Sequence, residues 1–166
     1  MKKAEHWIQH LDLKPHPEGG FYKEMYRSNI EVSGKELPIG YHSQRRLATS
    51  IYYLLRSEDI SRLHRLRSDE LWYFHTGSTV TVYYIDTEGK KHKNLLGNNP
   101  DKAEHLSVLI PGGTLFCAEV AEPESFGLVS CVVTPGFEFE DFEMFEKDDL
   151  IQAFPKHLEL IEKFSK

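Results

Sequence analysis

The feature that most constrains this chain is a succession of short alternating runs, each closed off by turn residues. Residues 47–55 are rich in β-branched and aromatic side chains. Residues 60–66, 71–75, 79–85, 105–110, 114–120 and 128–134 repeat the pattern. Between them stand Arg67-Ser68-Asp69, Thr76-Gly77, Glu88-Gly89, Gly97-Asn98-Asn99-Pro100, Pro111-Gly112-Gly113 and Pro135-Gly136. Side chains alternate across a strand, so this texture turns one face to a core. Seven such runs with turns this close together predict an all-β sandwich or barrel, not alternating α/β units.

Helices are expected only at the ends. Ala4, Trp7, Ile8 and Leu11 stand at helical spacing within residues 2–13. A second stripe, Leu150, Ile151, Phe154, Leu158, Ile161 and Phe164, is interrupted at Pro155. Pro15, Pro17, Gly19 and Gly20 mark a structured loop after the first helix. Phe137, Phe139, Phe142 and Phe145 interleave with the acids of residues 138–149, which reads as an edge strand with a solvated acidic side. With 166 residues and no repeat or linker, one domain over residues 1–166 is the simplest organisation.

Charge and cysteine usage narrow the partners. There are 26 acidic against 20 basic residues, a formal charge of −6, so the basic face that nucleic acid requires is not expected. No apolar run approaches the roughly 18 residues of a membrane span. Met1-Lys2-Lys3-Ala4-Glu5-His6-Trp7 carries charge where a secretory signal carries its apolar stretch. Cys117 and Cys131 sit in apolar runs, as buried free thiols do in a reducing compartment. A cytoplasmic location is the expectation.

Residues 61–77 are the densest in chemistry. Read as a hairpin turning at Arg67–Asp69, period two places Arg62, His64 and Leu66 on one face and Glu70, Trp72 and Phe74 on the other strand's matching face. His64 and Glu70 then share one side among aromatic surface. A histidine facing a carboxylate in a partly apolar cavity suits general acid–base chemistry, since burial and the partner tune both pKa values. A structural ion pair inside a barrel is the alternative.

These residues carry a resemblance. His64, Glu70 and Gly77 fall at the first-His, Glu and closing-Gly positions of the first cupin motif, and Pro111-Gly112-Gly113 is similar to part of the second. Five blocks in order resemble the cupin_5 branch of that superfamily: His16-Pro17-Glu18-Gly19-Gly20-Phe21-Tyr22, Tyr26-Arg27-Ser28, residues 49–55, Ser68-Asp69-Glu70-Leu71-Trp72, and residues 134–143. The resemblance implies a double-stranded β-helix (jelly-roll-like) barrel with short terminal helices, commonly a homodimer. Metal-binding cupins hold their ion with three His and one Glu. Here the other two His positions are Leu66 and Phe116, so no catalytic metal is expected, since tight sites offer at least three protein ligands.

The resemblance also extends to the metal-free deoxysugar epimerases of the dTDP-rhamnose pathway, similar in barrel type. By that likeness His64 abstracts a proton beside a carbonyl with Glu70 orienting it. Arg62, Arg46 or Lys23 stabilises the enolate, and Tyr52, Tyr83 or Tyr22 returns the proton. Trp72 and Phe116 are expected to line the cavity. The 16–22 loop has two readings: Gly19-Gly20 serves a turn with φ > 0 while Glu18 satisfies backbone donors, or Glu18 and Tyr22 touch a ligand at the rim. Neither G-x-x-x-x-G-K-[ST] nor G-x-G-x-x-G occurs, so no phosphate-cradling loop is expected, and no cofactor is expected. The resulting expectation is a small-molecule isomerase, epimerase or lyase acting without metal on a carbohydrate-like carbonyl compound. The alternatives are a non-catalytic sugar- or nucleotide-binding cupin and a metal-dependent dioxygenase-like cupin.

Overall fold

A computed structural model describes residues 2–38 and 40–165. Helix α1 (Lys2–Leu11) leads into β1 (Lys14–Pro15), β2 (Phe21–Arg27), β3 (Glu31–Val32), β4 (Arg45–Arg46), β5 (Thr49–Arg56), β6 (Ile60–Leu66) and β7 (Asp69–Gly77). Then come β8 (Val80–Ile85), β9 (Lys91–Leu96), β10 (Ser107–Ile110), β11 (Leu115–Val120), β12 (Phe126–Thr134) and β13 (Phe142–Met144), with α2 (Lys147–Ala153) and α3 (Leu158–Phe164) at the end. Two antiparallel sheets face each other, ordered β1-β2-β5-β12-β7-β10 and β13-β6-β11-β8-β9, with β3 and β4 a separate ribbon. This is an all-β barrel, one of the two architectures the alternation predicts, in the jelly-roll form that the resemblance implies.

Three apolar clusters follow from the period of two. The inner faces meet in a core of Leu55, Leu66, Trp72, Val82, Phe116 and Val129, among others. The other face of the five-stranded sheet, through Leu63, Ile85, Leu115 and Cys117, is covered by Leu150 of α2 and Leu160, Ile161 and Phe164 of α3. Pro155 breaks the C-terminal stripe into those two helices through a 3₁₀ turn at Pro155–His157. Helix α1 lays Ala4, Trp7, Ile8 and Leu11 over Leu54, Phe126 and Leu128 on the outer face of the larger sheet. Both cysteines are buried and free. Among the described residues no helix is long and apolar enough to cross a membrane.

Two local expectations change. The segment at Arg67–Asp69 is not the turn of a paired hairpin: β6 and β7 lie in opposite sheets, so it is a corner where the chain crosses the barrel. The acidic tract is only partly a solvated edge. β13 does form the edge of its sheet. Asp141 just before it is buried, held by Arg45 Nε at 2.6 Å and Arg67 Nε at 3.1 Å. A carboxylate that stays ionised on burial needs partners, and two guanidinium groups supply them.

Candidate active site

Between the sheets lies a cavity of about 310 Å³. Its polar floor is His16, Glu18, His64 and Glu70. Its walls include Tyr22, Ile51, Tyr53, Leu66, Trp72, Cys131 and Val133. Phe137, Phe139 and Phe142 close one side, and Glu24 and Arg27 stand with them in the lining.

Strand parity, corrected by bulges, decides who reaches this space. On β5 the residues Thr49, Ile51 and Tyr53 point in. Tyr22 pairs with Tyr53 across β2 and β5, whereas Lys23 pairs with Tyr52 on the outer face. Beyond Glu24 the register shifts, because two steps on β2 (Glu24 to Tyr26) oppose one on β5 (Ile51 to Ser50). That extra residue brings Arg27 back to the cavity, where it pairs with Glu24 at 2.8 Å. On β6 the same device acts in reverse. Three steps from Ser61 to His64 oppose two on β11, from Ala118 to Phe116. Ser61 therefore joins His64 on the inside, and Arg62 is turned out to donate to the carbonyls of Pro17 and Glu18.

The carboxylate that meets His64 is Glu18, not Glu70. His64 Nε2 lies 2.9 Å from Glu18 Oε2, and Nδ1 lies 2.6 Å from the Arg62 carbonyl oxygen. Both partners accept, so both ring nitrogens donate and the ring is an imidazolium. Ser61 Oγ donates to the other oxygen of Glu18 at 2.9 Å. Burial alone would raise the Glu18 pKa, but the His64 charge and hydrogen bond, His16 and Ser61 outweigh it and hold it at about 2. Burial likewise opposes a charge on His64, and Glu18 reverses the balance, raising its pKa. Phe116 packs behind the ring, centroids 4.0 Å apart. Burial lowers the His16 pKa against the pull of Glu18, and its Nδ1 accepts from the Glu18 backbone N–H at 3.3 Å.

Glu70 is the unusual group. It is buried on β7, and burial first, then the neighbouring Glu18 charge, push its pKa up to about 7. His64 pulls the other way, as do the Trp72 indole and the Cys131 thiol beside the carboxyl. Among the described residues Glu70 Oε2 has no hydrogen-bond partner, and neither does Trp72 Nε1 two residues along the same face. Tyr53 stays protonated through burial and donates to the Gly19 carbonyl at 2.8 Å.

The expected set thus divides. His64, Glu70, Trp72, Glu18 and Tyr22 meet in one cavity. Arg62, Lys23 and Tyr52 lie outside it for the reasons of register just given, Lys23 resting 3.6 Å from Asp12. Arg46 belongs to the β3–β4 ribbon, bound to Glu31 at 2.8 Å. Tyr83 faces the C-terminal helices, 5.8 Å from Phe164. Phe116 backs His64 from the core and does not line the space. His16, Tyr53, Arg27 and the Phe137–Phe142 wall line the cavity and lie outside the expected set. For Tyr53 the signal was available, since it shares the parity of Ile51 and Thr49.

The residues present do not fit a cupin metal. Leu66 and Phe116 offer no donor atom, and both His64 nitrogens are spent as donors, leaving no lone pair. Among the described residues no three His, Cys, Asp or Glu side chains are grouped to hold an ion.

Residues 5–145 match Cupin_5, described as "Cupin superfamily (DUF985)". The chain belongs to that family. It is similar to Saccharomyces cerevisiae "Uncharacterized protein YML079W", at 31% identity over 91% of this chain and 77% of that one. A solved structure of a hypothetical protein from Leishmania major superposes with a TM-score of 0.88 at 34% identity, covering 98% of both chains. Oxalate decarboxylase from Bacillus subtilis shares the fold alone, with a TM-score of 0.57 at 19% identity over 93% of this chain and 37% of its own. The cupin barrel expected from the motifs is therefore the fold of this chain.

Proposed function

We propose that this cupin is a metal-independent acid–base enzyme of isomerase, epimerase or lyase type, acting on a small carbonyl compound, with Glu70 as the group that moves the proton. The observation that carries this reading is a buried carboxyl poised near neutrality with one oxygen unengaged. A general acid–base works best when its pKa lies near the working pH. The roles differ from those suggested by the motif. His64 is no free base; with Glu18 it forms a fixed ion pair whose dipole stabilises charge developing in a cavity of low dielectric. The tyrosine nearest such a reaction is Tyr53 or Tyr22, not Tyr52 or Tyr83.

Turnover is tested by solvent exchange. The protein is incubated in D₂O with a mixture of small aldehydes, ketones and hydroxy-ketones, followed by mass spectrometry. One compound gains a deuterium with wild type and none with Glu70→Gln. A compound that binds, by thermal shift, yet exchanges no carbon-bound hydrogen favours a second reading, a non-catalytic binding module. The commitment of both His64 nitrogens supports that second reading, since it removes one of the two acid–base groups.

We also propose that the chain is a cytoplasmic homodimer. Its free buried thiols support the compartment. Dimerisation is supported by an outer row across the larger sheet, Tyr26, Ser50, Val132, Leu71 and Leu109 in register. Tyr26 is 56% and Leu109 50% exposed there, beyond the reach of α1.

A further inference from the structure

The charges of the cavity and its two orphaned polar atoms together restrict what it accepts. Three carboxylates, Glu18, Glu24 and Glu70, line it against two cations, Arg27 and His64. His64 is spent on Glu18. Arg27 is held between Glu24 and Glu138, each at 2.8 Å. Neither lining cation is left to meet an anion. A phosphate would face unmatched carboxylates where Coulomb forces are weakly screened.

Glu70 Oε2 and Trp72 Nε1 are both buried and unsatisfied. The indole N–H only donates, and an ionised carboxylate only accepts. A hydroxyl does both, and the two side chains stand on one face of β7 close enough for the indole to act on the Glu70 carboxyl, so one hydroxyl set against the pair satisfies both atoms. The other lining groups are mainly aromatic and aliphatic, and a space of about 310 Å³ is at the small end of ligand cavities.

We propose that the cavity binds an uncharged, ring-sized apolar molecule through one hydroxyl lodged between Trp72 and Glu70, and that it rejects phosphate esters. This rests on the reading of the cavity as the functional site, but not on turnover there.

Four probes of one body test it: benzyl alcohol, toluene, benzylamine and benzyl phosphate. The readout is the ¹⁵N–¹H indole signal of Trp72, assigned against the Trp7→Phe variant, since the chain has two tryptophans. Benzyl alcohol shifts that signal saturably and binds about tenfold more tightly than toluene, the gap a satisfied buried pair confers. Benzyl phosphate causes no shift and does not compete, and benzylamine binds no better than the alcohol. In Glu70→Ala the gap between alcohol and toluene closes. The wild-type ranking decides by itself, so poor folding of that variant leaves the test intact. The proposal is overturned by equal binding of toluene and alcohol, by phosphate or amine binding more tightly, by binding that leaves Trp72 unmoved, or by no probe binding. If the ranking holds and no substrate exchanges deuterium, only the catalytic reading falls. If a phosphorylated substrate exchanges, only this proposal falls.

Discussion

Glu18, His64 and Glu70 share one cavity and lean in opposite directions for one reason: a single imidazolium cannot neutralise two carboxylates. Glu18 takes the ion pair, and Glu70 bears the cost of burial beside a like charge. This has a sign in stability. A carboxyl whose pKa rises from 4.5 unfolded to about 7 folded keeps its proton longer in the native state. Its effect is absent below pH 4.5, and stability falls as pH climbs from there to 7, by about 3 kcal/mol in total. Glu18 contributes little slope in the upper part of that window, where it is ionised in both states; its contribution is lost as pH falls through 4.5 towards 2. Glu70→Gln should therefore flatten the fall between pH 4.5 and 7 and raise the melting temperature at pH 8, as measured by calorimetry. A variant that melts lower than wild type at pH 8 would contradict this. Glu18→Gln does the opposite. It strands a buried imidazolium and should cost about 3–5 kcal/mol, with a double-mutant cycle showing strong coupling between Glu18 and His64 and little between His64 and Glu70.

Among the elements, the 16–22 loop sets the site, because it carries Glu18 over to β6. Gly19 has φ 116° there, and a Cβ on it would collide with the Ile60 carbonyl oxygen. Gly19→Ala should lower stability by more than about 2 kcal/mol and release His64 from its partner. Gly89→Ala, at φ 78° with open space around it, should cost about 1 kcal/mol or less. Urea unfolding of both variants checks the contrast. The loop also marks how far the sequence could be read. Strands with one buried face, such as β5, β6 and β7, announce themselves by alternation. Strand β2 does not: it is half-exposed on both faces and bulged. Strand β9 begins Lys91-His92-Lys93 on a sheet edge. His64, Glu70 and Trp72 all line the cavity, and the period of two reaches Trp72 because parity survives from Glu70 to Trp72. It could not show that a bulge sends Arg62 outward, nor that His64 pairs with a residue 46 positions earlier, since both depend on register between distant strands.

At the scale of the molecule, the two outer sheet faces are treated unequally. α2 and α3 cover the smaller sheet, while α1 covers only part of the larger one, leaving Tyr73, Leu106 and Leu109 at 40–66% exposure near its β10 edge. A second copy packed face to face would bury that row on both chains, as an isologous interface does. Light scattering should give twice the single-chain mass, and Leu109→Lys should reduce it to one chain without lowering secondary structure by circular dichroism. A wild type that runs as one chain at micromolar concentration would refute this assembly.

The central claim is that this barrel keeps one carboxyl, Glu70, poised to exchange a proton at neutral pH. The most direct measurement is a ¹³C NMR titration of the glutamate side-chain carboxyls between pH 4 and 9, with Glu70 assigned by its loss in Glu70→Gln. The account predicts a Glu70 midpoint near 7 while Glu18 stays ionised throughout the range. A Glu70 midpoint near 4.5, or a Glu18 signal that titrates in its place, would contradict it.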